Sequence, residues 1–447
     1  MSTETEFETA PTAPAAPKGS IVGLLPVAVF LVLFIGSGVI LQDFYAMPAV
    51  VAFLIALVVA FLQNPSRSFA DKLESVAASM GQPNVMIMCL VFVLAGGFTG
   101  AVGAAGGVES TVNFALSVLP TSVVLPGLFL IACFISLSMG TSVGTIAALA
   151  PIAIGIALKT GLGGPLCLGA IVGGAMFGDN LSIISDTTIA ATRTQGCEMR
   201  DKFRENFKIA LPAAIIAFVI FLAIGMGSDY HIEGSLDYNL WQVLPYIAVL
   251  VAALAGVNVF IVLAGGILLS VIVGVALGTI APEMVFTVIG SGKDGGGGIM
   301  NMYDITVISI VCAGIIGLVK DNGGIDFILG IIRNHVRGRR GAQFGIAILS
   351  SLVDISTANN TVAIVMAGPI AKDIADEFDI DAKRTASILD IFTSVWQGII
   401  PYGAQLLYAS AGAAAAGMAV APFEVIPFLF YPFLLAICAL IAIARSK

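Results

Sequence analysis

Four polar stretches, each mixing side-chain oxygens with Gly or Pro or ending beside them, interrupt an otherwise apolar chain. Gly140–Thr145 carries Thr141, Ser142 and Thr145, and Gly178–Thr188 carries Asp179, Asn180, Ser182, Ser185, Asp186, Thr187 and Thr188. Later in the chain, Asp354–Thr361 carries Asp354, Thr357, Asn359, Asn360 and Thr361, and Gln397–Gln405 carries Gln397, Tyr402 and Gln405. Hydroxyl, amide and carboxylate oxygens suit a small hard cation. Gly and Pro let a helix unwind and free its backbone carbonyls and amides, which survive at membrane depth only where they line a cavity or bind something. Half-helix ends would add their dipoles to such a site.

The carboxylates carry the most weight, because an ionised Asp at the bilayer centre costs on the order of 3 kcal/mol and is normally kept for function. One carboxylate holding a cation and a proton in turn is what exchange of sodium for protons requires. Asp179, Asp186 and Asp354 are the candidate proton carriers, and Asp186 leads because Ser185, Thr187 and Thr188 surround it with oxygens. Glu109 and Asp326 each follow a Gly-Gly pair and are expected to sit at helix N-termini. Asp390, beside Thr393 and Ser394, could line the path, and Lys320 and Asp321 are expected to mark the end of a span. Gly140–Thr145 taken alone serves close helix packing equally well.

What must position these groups is a membrane scaffold. The chain is 58% hydrophobic and only 11% charged, where a soluble domain carries about 25% charged residues. Its mean hydropathy is +1.03. Ile21–Leu41, Pro48–Leu62, Leu211–Met226, Leu244–Leu254 and Phe428–Ala444 are apolar runs of roughly spanning length, and about ten to twelve spans are expected. Residues 1–20, acidic and Pro-containing without a basic leader, read as a disordered cytoplasmic tail. The six cysteines are scattered singly and the two histidines, His231 and His335, stand far apart. Neither a metal cluster nor a nucleophile with its base can be assembled from them, so no enzyme, cofactor or nucleic-acid partner is expected.

Sliding the chain on itself by about 216 residues aligns Gly97 and Gly100 with Gly314 and Gly317, Gly106–Glu109 with Gly323–Asp326, and Thr141 and Thr145 with Thr357 and Thr361. In that register Asp354 faces Ser138, Asp179 faces Val395 and Asp186 faces Tyr402, so the scaffold is duplicated and its charges are not. The expected organisation is a first repeat over 21–227, an extracytoplasmic linker over 228–237 and a second repeat over 238–447. Arg193, Arg200, Lys202, Arg204 and Lys208 follow the second motif of the first repeat, whereas the equivalent Ala409–Glu424 has no Lys or Arg. Arg333, Arg337, Arg339 and Arg340 in the second repeat likewise answer a stretch without basic residues in the first. Short basic loops stay cytoplasmic, so equivalent loops lie on opposite sides and both termini are cytoplasmic. The fold class is therefore an all-α polytopic membrane protein of two inverted-topology repeats with discontinuous helices and re-entrant hairpins, the architecture of a carrier.

Gly178 and Asp179, then Ser182 to Ser185 and Asp186 to Thr188, with Gly140–Thr145 before them and Asn359 to Thr361 in the other half, resemble the NhaC family of sodium/proton antiporters, within the ion transporter superfamily. Ile183 and Asn180 depart from the family, where Pro and Lys are frequent. The resemblance implies an inner-membrane homodimer working as an elevator and sodium/proton antiport, and the sodium ion is expected at Asp186, Thr187 and Asn360. The family also contains malate/lactate exchangers, so sodium-coupled movement of a small carboxylate or amino acid is the alternative.

Overall fold

The computed structural model describes residues 19–41, 47–118, 120–183, 185–227, 235–255, 257–293, 298–335 and 338–446. Apart from Gly19 and Ser20, the tail expected over 1–20 lies outside them, as does most of the linker over 228–237. The described residues are helical, without strands. The first half runs α1 (Leu25–Leu41), α2 (Ala49–Leu62), α3 (Phe69–Met80), α4 (Pro83–Ala104), α5 (Gly107–Val118), α6 (Thr121–Met139), α7 (Ser142–Thr160), α8 (Gly164–Leu181), α9 (Asp186–Gln195) and α10 (Met199–Gly227). The second runs α11 (Leu240–Leu254), α12 (Val259–Ala276), α13 (Val285–Ser291), α14 (Tyr303–Asp321), α15 (Gly324–His335), α16 (Gly338–Thr357), α17 (Asn360–Glu377), α18 (Ala382–Ile399) and α19 (Ala404–Ala415), and closes with α20 (Pro422–Val425) and α21 (Phe430–Ala444). Element by element, α4 to α9 repeat as α14 to α19.

The helix starts correct the register of the repeat. Ser142 and Asn360, Gly164 and Ala382, and Asp186 and Ala404 open equivalent helices, a shift of 218 in each case. Asp179 is thus opposite Gln397, Asp186 opposite Ala404 and Asp354 opposite Ser136. The Thr141 and Thr357 match that suggested the smaller shift pairs a residue before one tip with a residue before the preceding turn of the other.

Inversion is visible along α10. Near its start, Glu205 pairs with Arg384 at 3.2 Å, and Arg384 also donates to Gln343 of α16, so this end of α10 meets the open end of the α16/α17 hairpin. Near its finish, Gly225 lies so close to α6 that an added Cβ would stand 2.3 Å from Ser122 O, at the open end of the α6/α7 hairpin. Twenty residues of helix separate the two contacts, about 30 Å. The hairpins therefore enter from opposite sides.

The halves also interlock: α2 and α3 pack on α14, and α12 and α13 on α4, while α9 packs on α17 and α19 on α7. Within the first hairpin unit, Gly174 and Gly178 bring α8 against α6, where a Cβ would meet Phe129 O at 2.3 Å and Cys133 O at 2.5 Å. Six helical segments among the described residues are long and apolar enough to cross a membrane, and the bent pair Pro422–Phe428 and Phe430–Ala444 makes a seventh. Ile21–Phe34, Val50–Leu62 and Leu240–Ala252 are apolar but shorter. Of the other helices, α19 has only 12 residues, and α16 to α18 are long enough but carry charged and polar residues that lower their hydropathy.

Candidate functional site

Each hairpin turns at a left-handed residue. Gly140 (φ +69°) closes α6, and Thr141 in extended conformation caps α7, its hydroxyl accepting from Gly144 N–H at 3.4 Å. Ala358 (φ +48°) stands at the corresponding place after α16, and Asn359 Oδ1 caps α17 by accepting from Val362 N–H at 3.0 Å. A side chain in this region costs about 1–2 kcal/mol. Two contacts hold Ala358 there: its N–H donates to Asp354 O at 2.7 Å, and Gln397 Nε2 donates to its carbonyl at 3.2 Å.

Asp179, near the end of α8, grips the first tip. Oδ2 accepts from Ser142 N–H at 3.2 Å and Ser142 Oγ at 2.7 Å, and Oδ1 accepts from Ser185 Oγ at 2.5 Å. Ser185 Oγ is also 2.9 Å from Thr187 Oγ1. The carboxylate therefore ties the start of α7 to the break between α8 and α9. Across the pseudo-symmetry, Gln397 Nε2 donates to Gln405 Oε1 at 2.7 Å and Gln405 Nε2 to Ser142 Oγ at 3.1 Å. A continuous polar chain thus runs from the second tip to Asp179.

A cavity of about 460 Å³ opens beside this chain. Among the expected residues it is lined by Thr141, Ser142, Asp179, Ser185, Asp186, Thr187, Asn359, Asn360, Thr361 and Gln397, with Gln405 and Asn258 added. The three residues expected to hold sodium, Asp186, Thr187 and Asn360, share this wall. Thr357 and Tyr402 face a second cavity of about 410 Å³, between α3, α14 and α17, which meets the first at Ala358, Asn359 and Ala404. Tyr402 OH donates to Ile355 O at 2.7 Å.

Thr145, Asn180, Ser182, Thr188 and Asp354 line neither cavity. Thr145 is buried and bonds back to Thr141 O, and Ser182 is buried with its hydroxyl unpartnered among the described residues. Asp186 is exposed on the cavity wall, and the hydroxyls expected around it point elsewhere: Ser185 to Asp179 and Thr187, Thr188 to Lys202. Asp354 is fully buried with neither carboxylate oxygen partnered among the described residues.

Lys202 and Asp390 differ most from expectation. Lys202 is buried rather than exposed with its basic neighbours, and Asp390 lines neither cavity: the two form a buried ion pair beside the α8/α9 break, joined by Asn180 and Asn206. The signal for them is helical spacing, since Lys202 and Asn206 continue the buried stripe of Ile209, Ala210, Ala213 and Ala217 on α10. At other ends, Glu109 lies in the first turn of α5 and faces Lys159 at 3.5 Å, and Asp321 ends α14 paired with Arg67. Four basic groups of the second half, Arg339, Lys383, Arg384 and Arg445, line one recess, which Glu205 of α10 also lines.

Three curated relatives align along most of their length. The malate-2H(+)/Na(+)-lactate antiporter of Bacillus subtilis is 24% identical over 86% of this chain and 87% of its own. The arginine/ornithine antiporter ArcD of Halobacterium salinarum is 23% identical over 73% and 72%, and the Na(+)/H(+) antiporter NhaC of Bacillus subtilis 24% identical over 70% and 75%. The family model that matches is that of the Na+/H+ antiporters, over residues 3–226 and 230–445, which is nearly all of both halves, and the chain belongs to that family of membrane transporters.

Proposed function

We propose that this protein exchanges sodium for protons across the inner membrane by alternating access, with Asp179 as the principal cation-binding carboxylate. The observation that carries the assignment is the position of Asp179, which faces a cavity while joining a hairpin tip to a broken helix. Sodium is held between Asp179, Asp186, Thr187 and Asn360, and its loss frees the carboxylates for protons. Asp354, desolvated and without a side-chain partner among the described residues, one turn before the second tip, is the further proton site. No cofactor takes part. The basic recess around Arg339, Lys383 and Arg445 supports a cytoplasmic C-terminus, and the N-terminus is assigned to the same side. The protein works as a homodimer in which the hairpin units move as an elevator against α1–α4 and α11–α14.

The second reading is sodium-coupled transport of a small carboxylate or amino acid. A cavity of about 460 Å³ exceeds what a bare ion needs, and Asn359, Asn360, Gln397 and Gln405 with the α7 and α17 N-termini suit a carboxylate. Proteoliposomes under an imposed pH gradient separate the two. Sodium-dependent proton flux with no organic solute supports antiport, and flux that appears only with a carboxylate or amino acid supports the second reading.

A further inference from the structure

Lys202, four residues into α10, has only 1% of its side chain exposed. Its ammonium donates to Asn180 O at 2.9 Å and Thr188 Oγ1 at 2.7 Å, and pairs with Asp390 Oδ2. These three oxygens come from α8, α9 and α18, and Asn180 O is among the carbonyls a helix leaves unbonded at its end. Asn180 Nδ2 and Asn206 Nδ2 donate to Asp390 Oδ2 at 2.8 and 3.0 Å and fix the carboxylate, while Asp390 Oδ1 is buried without a partner among the described residues.

The ligand set is a carbonyl, a hydroxyl and a carboxylate converging on one positive charge. An ammonium has three donors and no acceptor, and the cage offers it three oxygens, which an untethered alkylammonium could use equally well. The cage and the cavity wall use adjacent residues at both ends of the broken helix. Asn180 follows Asp179 in sequence, and Thr188 follows Thr187, whose hydroxyl meets that of Ser185, the donor to Asp179.

We propose that the cage of Asn180, Thr188 and Asp390 is a second monovalent-cation site, filled by the tethered ammonium of Lys202, and that Lys202 is a positioning residue which holds the α8/α9 break in the geometry that presents Asp179 to a transported ion. The cage stands on contacts alone, and its link to sodium rests on the proposed function above.

The test uses the full chain in detergent and reads thermal unfolding, which does not depend on what is transported. Lys202→Ala keeps Cβ and removes the rest of the side chain, a propylammonium group. Its unfolding midpoint is expected to lie below wild type in choline chloride and to rise by several degrees in n-propylammonium chloride at equal ionic strength. Wild type and the Lys202→Ala/Asp390→Asn variant are expected to gain nothing. Equal midpoints for Lys202→Ala in the two salts, or the same gain without the Asp390 carboxylate, overturn the cation site. Should Lys202→Ala not fold in choline, the yield of folded protein from membranes solubilised in either salt replaces the midpoint: a higher yield in n-propylammonium that needs Asp390 supports the site, and equal yields overturn it. A second arm uses Lys202→Met/Asp390→Asn, which removes both charges together. The half-saturating sodium concentration for thermal stabilisation is expected to rise about tenfold, as for other changes behind an ion site. An unchanged value overturns the positioning role, while a wild type that sodium does not stabilise counts against the proposed function and leaves the cage to be decided by the first arm.

Discussion

Replacing Asp179 by Asn keeps the side chain's size and its place between Ser142 and Ser185 while removing its charge. The Asn carbonyl must face Ser142, because a backbone N–H and a hydroxyl donate there at 3.2 and 2.7 Å. The new amide NH₂ then faces Ser185 Oγ, which can rotate to accept it and donate to Thr187 Oγ1, 2.9 Å away. One hydroxyl reversal accommodates the change, so the fold loses only the difference between charged and neutral hydrogen bonds, about 1–2 kcal/mol. The ion loses more. At about 4 Å and an effective dielectric constant near 20, a unit charge is worth about 4 kcal/mol, roughly a thousandfold in affinity. In proteoliposomes carrying a pH-sensitive dye, the sodium concentration for half-maximal proton flux should rise by about that factor, with the unfolding midpoint little changed. A half-saturation within tenfold of wild type refutes Asp179 as a sodium ligand.

Asp186→Asn should be milder, because Asp186 is exposed to the cavity and its charge acts through a water-like dielectric: about 1 kcal/mol, a roughly fivefold rise in the same half-saturation. A loss as large as that of Asp179→Asn would reverse the ranking of the two. Asp354→Leu removes two buried oxygens that have no partner among the described residues, so thermal stability should hold or improve by about 1 kcal/mol while proton-coupled transport stops. Full sodium/proton exchange in a stable Asp354→Leu protein would remove it from the proton path. Gly178→Ala places a Cβ 2.5 Å from Cys133 O and Leu137 N and should cost about 1–3 kcal/mol, read as a lower unfolding midpoint. Single cysteines at Arg200 and Ala415 should label from opposite sides of the membrane, and labelling from one side contradicts inversion.

The polar stretches are legible in the sequence because Gly, Pro and clustered oxygens mark unwound helix whatever surrounds it. Gly140 announces a left-handed turn by its type, whereas Ala358 does the same with no such signature and is held by Gln397 and the Asp354 carbonyl. Proximity in sequence suggests a ring of hydroxyls around Asp186 because it carries no information on orientation. Ser185 and Thr188 flank it closely in the chain, yet one hydroxyl turns to Asp179 and the other to Lys202. Lys202 is hidden for a related reason: Lys and Arg density locates a cytoplasmic loop, but only the helical stripe reveals which member turns inward.

The corrected register gives the duplication a functional sense. Asp179 and Gln397 occupy equivalent places on α8 and α18, and each reaches for the tip of its own hairpin: the carboxylate accepts from Ser142, the amide donates to Ala358 O. Thr187 and Gln405 are likewise equivalent, one hydrogen-bonded toward Asp179 through Ser185 and the other joining Gln397 to Ser142. The two halves thus keep the same mechanical contact while one uses an acceptor and the other a donor. Two carboxylates facing each other across the tips would repel when the site is empty of cations. A carboxylate opposite an amide avoids that repulsion, and the hydrogen-bonded chain from Gln397 through Gln405 and Ser142 to Asp179 joins the two tips. Gln397→Glu tests this directly. It places a second negative charge on that chain in place of the donor to Ala358 O, so the variant should lose stability in the absence of sodium and recover part of it when sodium is added. A variant whose unfolding midpoint ignores sodium would show that the tips do not share one ion site.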